Sequence, residues 1–228
     1  MGGMILALES STCWLSMGLF EEKRSLFEAN HYTLAGHSRF IFQYLNILAE
    51  EFRFQEHLEA VVVGLGPGFF TGVKIASMVG KSLAYILKKP IYGFSTLEAI
   101  AAQVREFEMG SFPYQVLVPV IFHKKNELFW TEFHHDSRKD AGNLDIQVGP
   151  PDELVKSLKN KDALVVTPWM ELKEYLEGEG LKCYDPLLSI PESRNLARLY
   201  FLRRNHYQSD WQGVFKLVPI YGSKLFGQ

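Results

Sequence analysis

The chain has 228 residues, 47% of them hydrophobic and 14% aromatic, with a formal net charge of −2. That length suits two lobes of about 100 residues each, and the apolar content excludes a disordered chain. The near-neutral balance excludes a global field drawing the molecule onto nucleic acid or membrane, so any RNA contact has to be a local patch or be delegated to a partner. Cys13 and Cys183 match no metal or redox spacing and read as ordinary buried thiols in a reducing compartment. Residues 1–9 carry no basic region, and their apolar run breaks at Glu9, against a signal peptide. No apolar stretch of about 18 residues is present, so the expected location is cytoplasmic.

Residues 4–8 read as a buried strand. Residues 14–20 and 25–33 follow as strands around a turn of Glu21, Glu22 and Lys23, an antiparallel meander. Over 37–52 the period changes, with Ile41, Leu45, Leu48 and Phe52 at helical spacing. Phe40, Tyr44 and Ile47 form a second apolar stripe beside them, more than packing on one sheet usually needs. Residues 60–65 are a β-branched run, the mark of a strand buried on both faces, and end in Gly66-Pro67-Gly68. A helix over 70–87, a strand over 90–94 and a helix from Ser95 to about residue 105 complete the order β-β-β-α-β-α-β-α.

The pattern breaks at residues 109–113, the best lobe boundary. Strands are expected over 114–122 and 127–134 with a turn at 124–126, then a polar loop over 136–143, a helix over 152–158, a strand over 163–167 and a helix over 169–177. A helix spans 191–206. The organisation is a first lobe of residues 1–108, a smaller lobe of 109–190, and a segment of 191–228 whose apolar stretch 214–221 docks back on the first.

The stretch Gly64-Leu65-Gly66-Pro67-Gly68-Phe69-Phe70-Thr71-Gly72 joins a buried strand to a helix start, where backbone N–H groups could meet a phosphate. It is neither a Walker loop nor the dinucleotide fingerprint, and the plainer reading is a tight connection that needs glycine backbone freedom. Gly72, Ala76, Gly80 and Ala84 recur every four residues on one face of the next helix. Glycine there costs about 1 kcal/mol relative to alanine, so something packs close: its own sheet or another subunit. Glu9-Ser10-Ser11-Thr12 could orient a metal–phosphate group or form a plain turn. The histidines have no metal-site spacing and read as solvated, and neither a serine-hydrolase elbow nor a zinc-protease helix occurs. Arg194, Arg198, Arg203 and Arg204 read as the exposed side of a helix, with RNA contact as the alternative.

His37-Ser38-Arg39, the run Gly64 to Ile75, Pro90-Ile91-Tyr92-Gly93-Phe94-Ser95-Thr96-Leu97-Glu98, the opening Ile5 to Ser11 and the late Val218-Pro219-Ile220-Tyr221 together resemble the TsaB (YeaZ) family. Order and spacing match along residues 4 to about 103. The resemblance implies a two-lobe α/β, actin-like ATPase (ribonuclease-H-like) fold lacking the catalytic metal site. It implies work beside TsaD, a catalytic relative, and TsaE, a small ATPase, in transferring threonylcarbamoyl to the adenosine beside the tRNA anticodon. Departures are Glu9 for the family's Asp, Phe69 for Ser, Lys74 for Arg, and Phe122-His123-Lys124 for an Asp-Ala-Arg-type segment. Where the catalytic relative carries two histidines four residues apart, a spacing that aims both imidazoles to one side, this chain has Thr96 and Ile100.

The resulting expectation is a non-catalytic scaffold with no catalytic and no metal residues. Its partner interface is expected on His37, Phe40, Ile41, Tyr44, Ile47, Gly72, Ala76 and Gly80. The partners are a TsaD-like subunit, a TsaE-like ATPase, tRNA through the complex, and a second copy when the chain is alone. Candidate nucleotide-binding residues are Glu9, Ser10, Gly66, Gly68 and Thr71, with ATP or ADP at the partner interface as the cofactor in view. Gly80→Leu is expected to abolish partner binding and leave the monomer folded. The rivals are a nucleotide-dependent small-molecule kinase or phosphatase of the same fold, a metallopeptidase, and a direct tRNA binder through the helix of Arg194–Arg204.

Overall fold

The computed structural model describes residues 3–107, 112–124, 126–134, 144–206 and 211–221. Its first half runs β1 (Met4–Glu9), β2 (Trp14–Glu21), β3 (Arg24–Tyr32), α1 (His37–Phe52), the one-turn α2 (Phe54–His57), β4 (Leu58–Gly64), α3 (Phe70–Leu87), β5 (Ile91–Phe94) and α4 (Thr96–Phe107). The second half runs β6 (Val116–Lys124), β7 (Glu127–Trp130), β8 (Phe133–His134), β9 (Gln147–Gly149), α5 (Pro151–Leu158), β10 (Ala163–Val166), α6 (Met170–Gly178), β11 (Lys182–Cys183) and α7 (Ser193–Arg203), with 3-10 turns at Arg204–His206 and Trp211–Phe215. Both long helices of the first half start at residues outside helical geometry and end at left-handed ones: Arg53 (φ 45°) closes α1 and Lys88 (φ 52°) closes α3.

Five strands form the first sheet in the order β3-β2-β1-β4-β5. β1, β2 and β3 pair antiparallel, and β4 and β5 continue parallel to β1, with Leu6 opposite Leu19 on one side and Val61 on the other. Strand alternation then sorts the core. Leu6, Leu8, Val61 and Val63 face α1 and α3, while Ile5, Ala7, Ala60 and Val62 face Leu196, Leu199 and Tyr200 of α7. A second sheet, β11-β10-β6-β7-β9, with β8 beside β6, does the same. Val116, Val118 and Val120 face α5 and α6, while Leu117, Ile121 and Val166 face Leu97, Ile100 and Val104 of α4. Each such fully buried aliphatic side chain stabilises the fold by about 1.5–3 kcal/mol.

Two lobes therefore meet through a middle layer in which α4 and α7 lie side by side. The seam between these helices is polar: Arg203 Nη1 lies 2.5 Å from Glu98 Oε1, and Asn195 Nδ2 donates to Gln103 Oε1 at 3.1 Å. After α7 the chain returns to the first lobe. Val214 enters its core, and the Ile220 N–H donates to the Leu65 carbonyl at 2.7 Å.

Several elements differ from the sequence expectation, among them the 3-10 turns at Pro186–Leu188 and Trp211–Phe215, and the helix expected over 191–206, which is α only over Ser193–Arg203. α2, β9 and β11 are too short to carry a period, and the strand expected over 127–134 is interrupted after Trp130, where the Thr131 hydroxyl donates to the Asp145 carbonyl. The polar loop at 136–143, residue 125 of the turn at 124–126, and residues 109–111 of the expected boundary lie outside the described residues. Among the described residues no helix is long and apolar enough to cross a membrane.

Candidate functional site

β1 ends at the lobe seam, and its last residue sets the site. Glu9 follows Ile5 and Ala7 in the alternation, so its side chain turns inward and is fully buried. Glu9 Oε1 accepts the Ser11 N–H at 2.7 Å, and Oε2 accepts the Thr96 hydroxyl at 2.9 Å. Thr96 Oγ1 also lies 2.8 Å from Ser11 Oγ. Burial pushes the Glu9 carboxyl above the usual carboxylate range, against the opposing pull of the hydrogen bonds from Ser11 and Thr96. Gly64 provides the space: a Cβ there would collide with the Glu9 carboxylate.

The glycine-rich connection is nested on this turn. A Cβ on Gly68 or Gly72 would run into the Ser11 or Ser10 carbonyl. The Phe69 N–H donates to the Ser11 carbonyl at 2.7 Å, and the Thr96 N–H to the Gly66 carbonyl at 2.8 Å. Thus the structure does bring Glu9, Ser10, Gly66 and Gly68 together, but Glu9 and Ser10 are wholly buried and turned to their own chain, and of the five candidates only Thr71 is exposed. Of the two sequence readings of this stretch, phosphate cradle and tight glycine connection, the geometry is that of a tight turn closed on its own hydrogen bonds. Phe69 does not fill it either; its ring points outward to Trp169 of the second lobe, 6.4 Å away between centroids.

His37 is not solvated, which corrects that expectation. It is buried, with Nδ1 2.6 Å from Ser10 Oγ and Nε2 3.1 Å from the Thr33 carbonyl. A carbonyl only accepts, so Nε2 carries the proton. The imidazole ties α1 to the β1 turn beside a cavity of about 110 Å³ lined in part by Cys13, Phe69 and Thr71.

The residues expected to form an interface separate into two sets. Gly72, Ala76 and Gly80 face inward, and a Cβ on Gly80 would strike Val63 of the sheet beneath. Ile41 is likewise in the core. The small-residue stripe is corrected to close helix-on-sheet packing. Phe40 and Tyr44 are half-buried over β3: the Phe40 ring lies 3.9 Å from that of His31, and Tyr44 Oη 3.1 Å from His31 Nδ1. α1 and α3 leave outward, among others, Phe42 (58% exposed), Met78 (58%), Ile86 (72%) and Ile47, beside half-buried Ile75 and Val79, with Phe70 and Tyr85 also exposed on α3. The sequence reading missed Phe42, Met78 and Ile86 because they stand outside the two stripes it followed. It also missed Gly64, although a glycine ending a β-branched run next to the strand that ends in Glu9 was a usable signal.

Thr96 is committed to Glu9, and Ile100 is sealed in the core between α4 and the second sheet. The α7 arginines are engaged by acids or backbone: Arg194 with Glu28 and Glu192, Arg203 with Glu98, Arg204 with Glu22, and Arg198 with the Ala102 carbonyl. That pairing offsets part of the positive charge that a direct tRNA reading would draw on.

These features define a two-lobe actin-like α/β protein whose inter-lobe turn is occupied by its own carboxylate. The model of the TsaD family, tRNA N6-adenosine threonylcarbamoyltransferase, matches residues 33–159, more than half of the chain. The tRNA threonylcarbamoyladenosine biosynthesis protein TsaB of Haemophilus influenzae is 26% identical over 95% of this chain and 92% of its own. TsaB of Bacillus subtilis is 34% identical over 46% of each chain. The solved structure of YeaZ from Pseudomonas aeruginosa superposes with a TM-score of 0.75 at 22% identity, covering 96% of this chain and 100% of that one. The chain belongs to the family that the TsaD model describes, and along nearly its whole length it is similar to TsaB.

Proposed function

We propose that this chain serves the biosynthesis of threonylcarbamoyladenosine in tRNA as a non-catalytic subunit that binds and activates a TsaD-type catalytic partner. The observation that carries the non-catalytic reading is position 100. Where the catalytic relative is expected to hold the second of two imidazoles, this chain buries an isoleucine, and Thr96 is spent on Glu9. Similarity to TsaB relatives along nearly the whole chain supports the pathway.

The docking surface in this reading is the outward side of α1 and α3, with Phe42, Ile47, Met78 and Ile86 as its apolar contacts. A TsaE-like ATPase and tRNA join through the catalytic subunit, and ATP or ADP, where present, lies at the partner interface. The same surface pairs with a second copy when the chain is alone. The nucleotide-dependent kinase or phosphatase alternative needs Glu9 facing a ligand, and its inward hydrogen bonds speak against that.

The test is reconstitution. The chain is mixed with the TsaD-type subunit and the TsaE-type ATPase of the same cell, tRNA and a threonylcarbamoyl donor, and the modified nucleoside is measured by mass spectrometry. Product formation that requires this chain, and a stable complex on gel filtration, are expected. Full product yield without the chain, or nucleotide hydrolysis by the chain alone that Glu9→Gln removes, would overturn the reading.

A further inference from the structure

We propose that Phe69, Trp169 and Phe122 form an inter-lobe clasp that holds the two lobes in one arrangement without any ligand between them. Phe69 comes from the glycine-rich turn of the first lobe, whereas Trp169, at the start of α6, and Phe122, on β6, belong to the second. The Phe69 and Trp169 rings lie 6.4 Å apart at 64°, and Phe122 and Trp169 5.0 Å apart at 81°, both within the edge-on range in which aromatic pairs attract. Trp169 rests against both cores of the second lobe, so it is anchored from behind. Phe69 is anchored too, because its N–H donates to the Ser11 carbonyl and its neighbour Gly68 sits so close to Ser11 that no side chain would fit there.

The lobes are thus joined at the middle layer, where α4 lies between α7 and the second sheet, and again at this aromatic contact on the turn side. A single joint permits hinge motion; a second, away from the first, restricts it. Closure also has a cost that the rings offset. Two residues before Trp169, the Thr167 hydroxyl is fully buried with no hydrogen-bond partner among the described residues. Such a group favours any state in which water reaches it.

Amide hydrogen exchange on the full chain tests the clasp, independently of any partner. Phe69→Ser removes one ring from a turn residue that is already 38% exposed. It is expected to speed exchange by up to about tenfold not only in residues 66–72 but also across the seam in 119–124 and 167–172. Trp169→Ala should do the same, with the double variant no faster than the faster single. Acceleration confined to 66–72, or effects of the two changes that multiply, would overturn the clasp. Should Trp169→Ala lose the fold by circular dichroism, the cross-lobe response to Phe69→Ser decides alone.

Discussion

Glu9 and Gly64 are complementary across neighbouring parallel strands: the carboxylate at the end of β1 occupies the volume a side chain at the end of β4 would need. Neither residue can be read without the other. Gly64→Ala should therefore displace a buried, doubly hydrogen-bonded carboxylate and destabilise the chain by about 1–3 kcal/mol. Pairing it with Glu9→Ala should recover part of that loss. Urea unfolding of both singles and the double measures the coupling; strict additivity would show that the two do not compete for the same space.

The same carboxylate gives stability a pH dependence of defined sign. Its folded pKa is raised by burial, so the folded state binds the proton more tightly than the unfolded chain. Stability from this group is fully present below the unfolded pKa of glutamate and is lost as pH rises through the higher folded value. Glu9→Gln retains an acceptor for the Ser11 N–H and has no proton to lose. The variant should be the more stable protein at neutral pH, with the difference shrinking toward acid. A difference that is flat in pH would mean that Glu9 titrates normally.

Gly80→Leu, expected from sequence to spare the monomer, should instead destabilise it. The added side chain has to enter the space of Val63 under α3, an overpacking that costs about 1–3 kcal/mol or more. A thermal melt settles this directly, and a wild-type melting temperature would restore the partner-facing reading of that stripe.

Interface loss without unfolding is expected from Met78→Glu and Ile86→Glu. Both positions are exposed in the monomer, so stability should move by no more than about 0.5 kcal/mol. Sedimentation should show reduced self-association, and gel filtration with the catalytic partner should show no complex. Retained binding by both variants would move the docking surface away from α3.

Removing Arg203 should be costly in a way that removing its partner too is not. Glu98 is buried, and Arg203 is its ion-pair partner at 2.5 Å. Arg203→Met takes a guanidinium away from a buried carboxylate, a loss of up to roughly 3 kcal/mol. Glu98→Leu combined with Arg203→Met should return close to wild type. Equal losses in the single and double variants would point to lost packing by the arginine stem.

The periodic parts of this fold were legible in the residues themselves. α1 and α3 fall on the expected bounds because their apolar spacing is unbroken and their ends are marked by left-handed residues. β9 and β11 escaped notice because two or three residues cannot display an alternation. The site was legible in its members and not in its direction. Ser10, Gly66 and Gly68 do converge, yet sequence cannot tell a loop that greets a phosphate from one that closes on a neighbouring serine pair. Likewise a stripe of small residues records that something lies close to a helix, and Gly80 needed the coordinates of Val63 to say what. Phe40 and Tyr44 looked surplus because the edge strand they cover, with Phe27 and His31, was assigned no cover of its own.

The position of α7 imposes an order of events on biosynthesis. Ile5, Ala7, Ala60 and Val62 are laid down in the first third of the chain, but the residues that cover them, Leu196, Leu199 and Tyr200, are among the last. A nascent first sheet therefore emerges from the ribosome with one apolar face short of its cover until residues 193–203 are made. Premature termination before residue 193 would leave that face without its lid, a truncated product fit for chaperones and proteases and not for assembly.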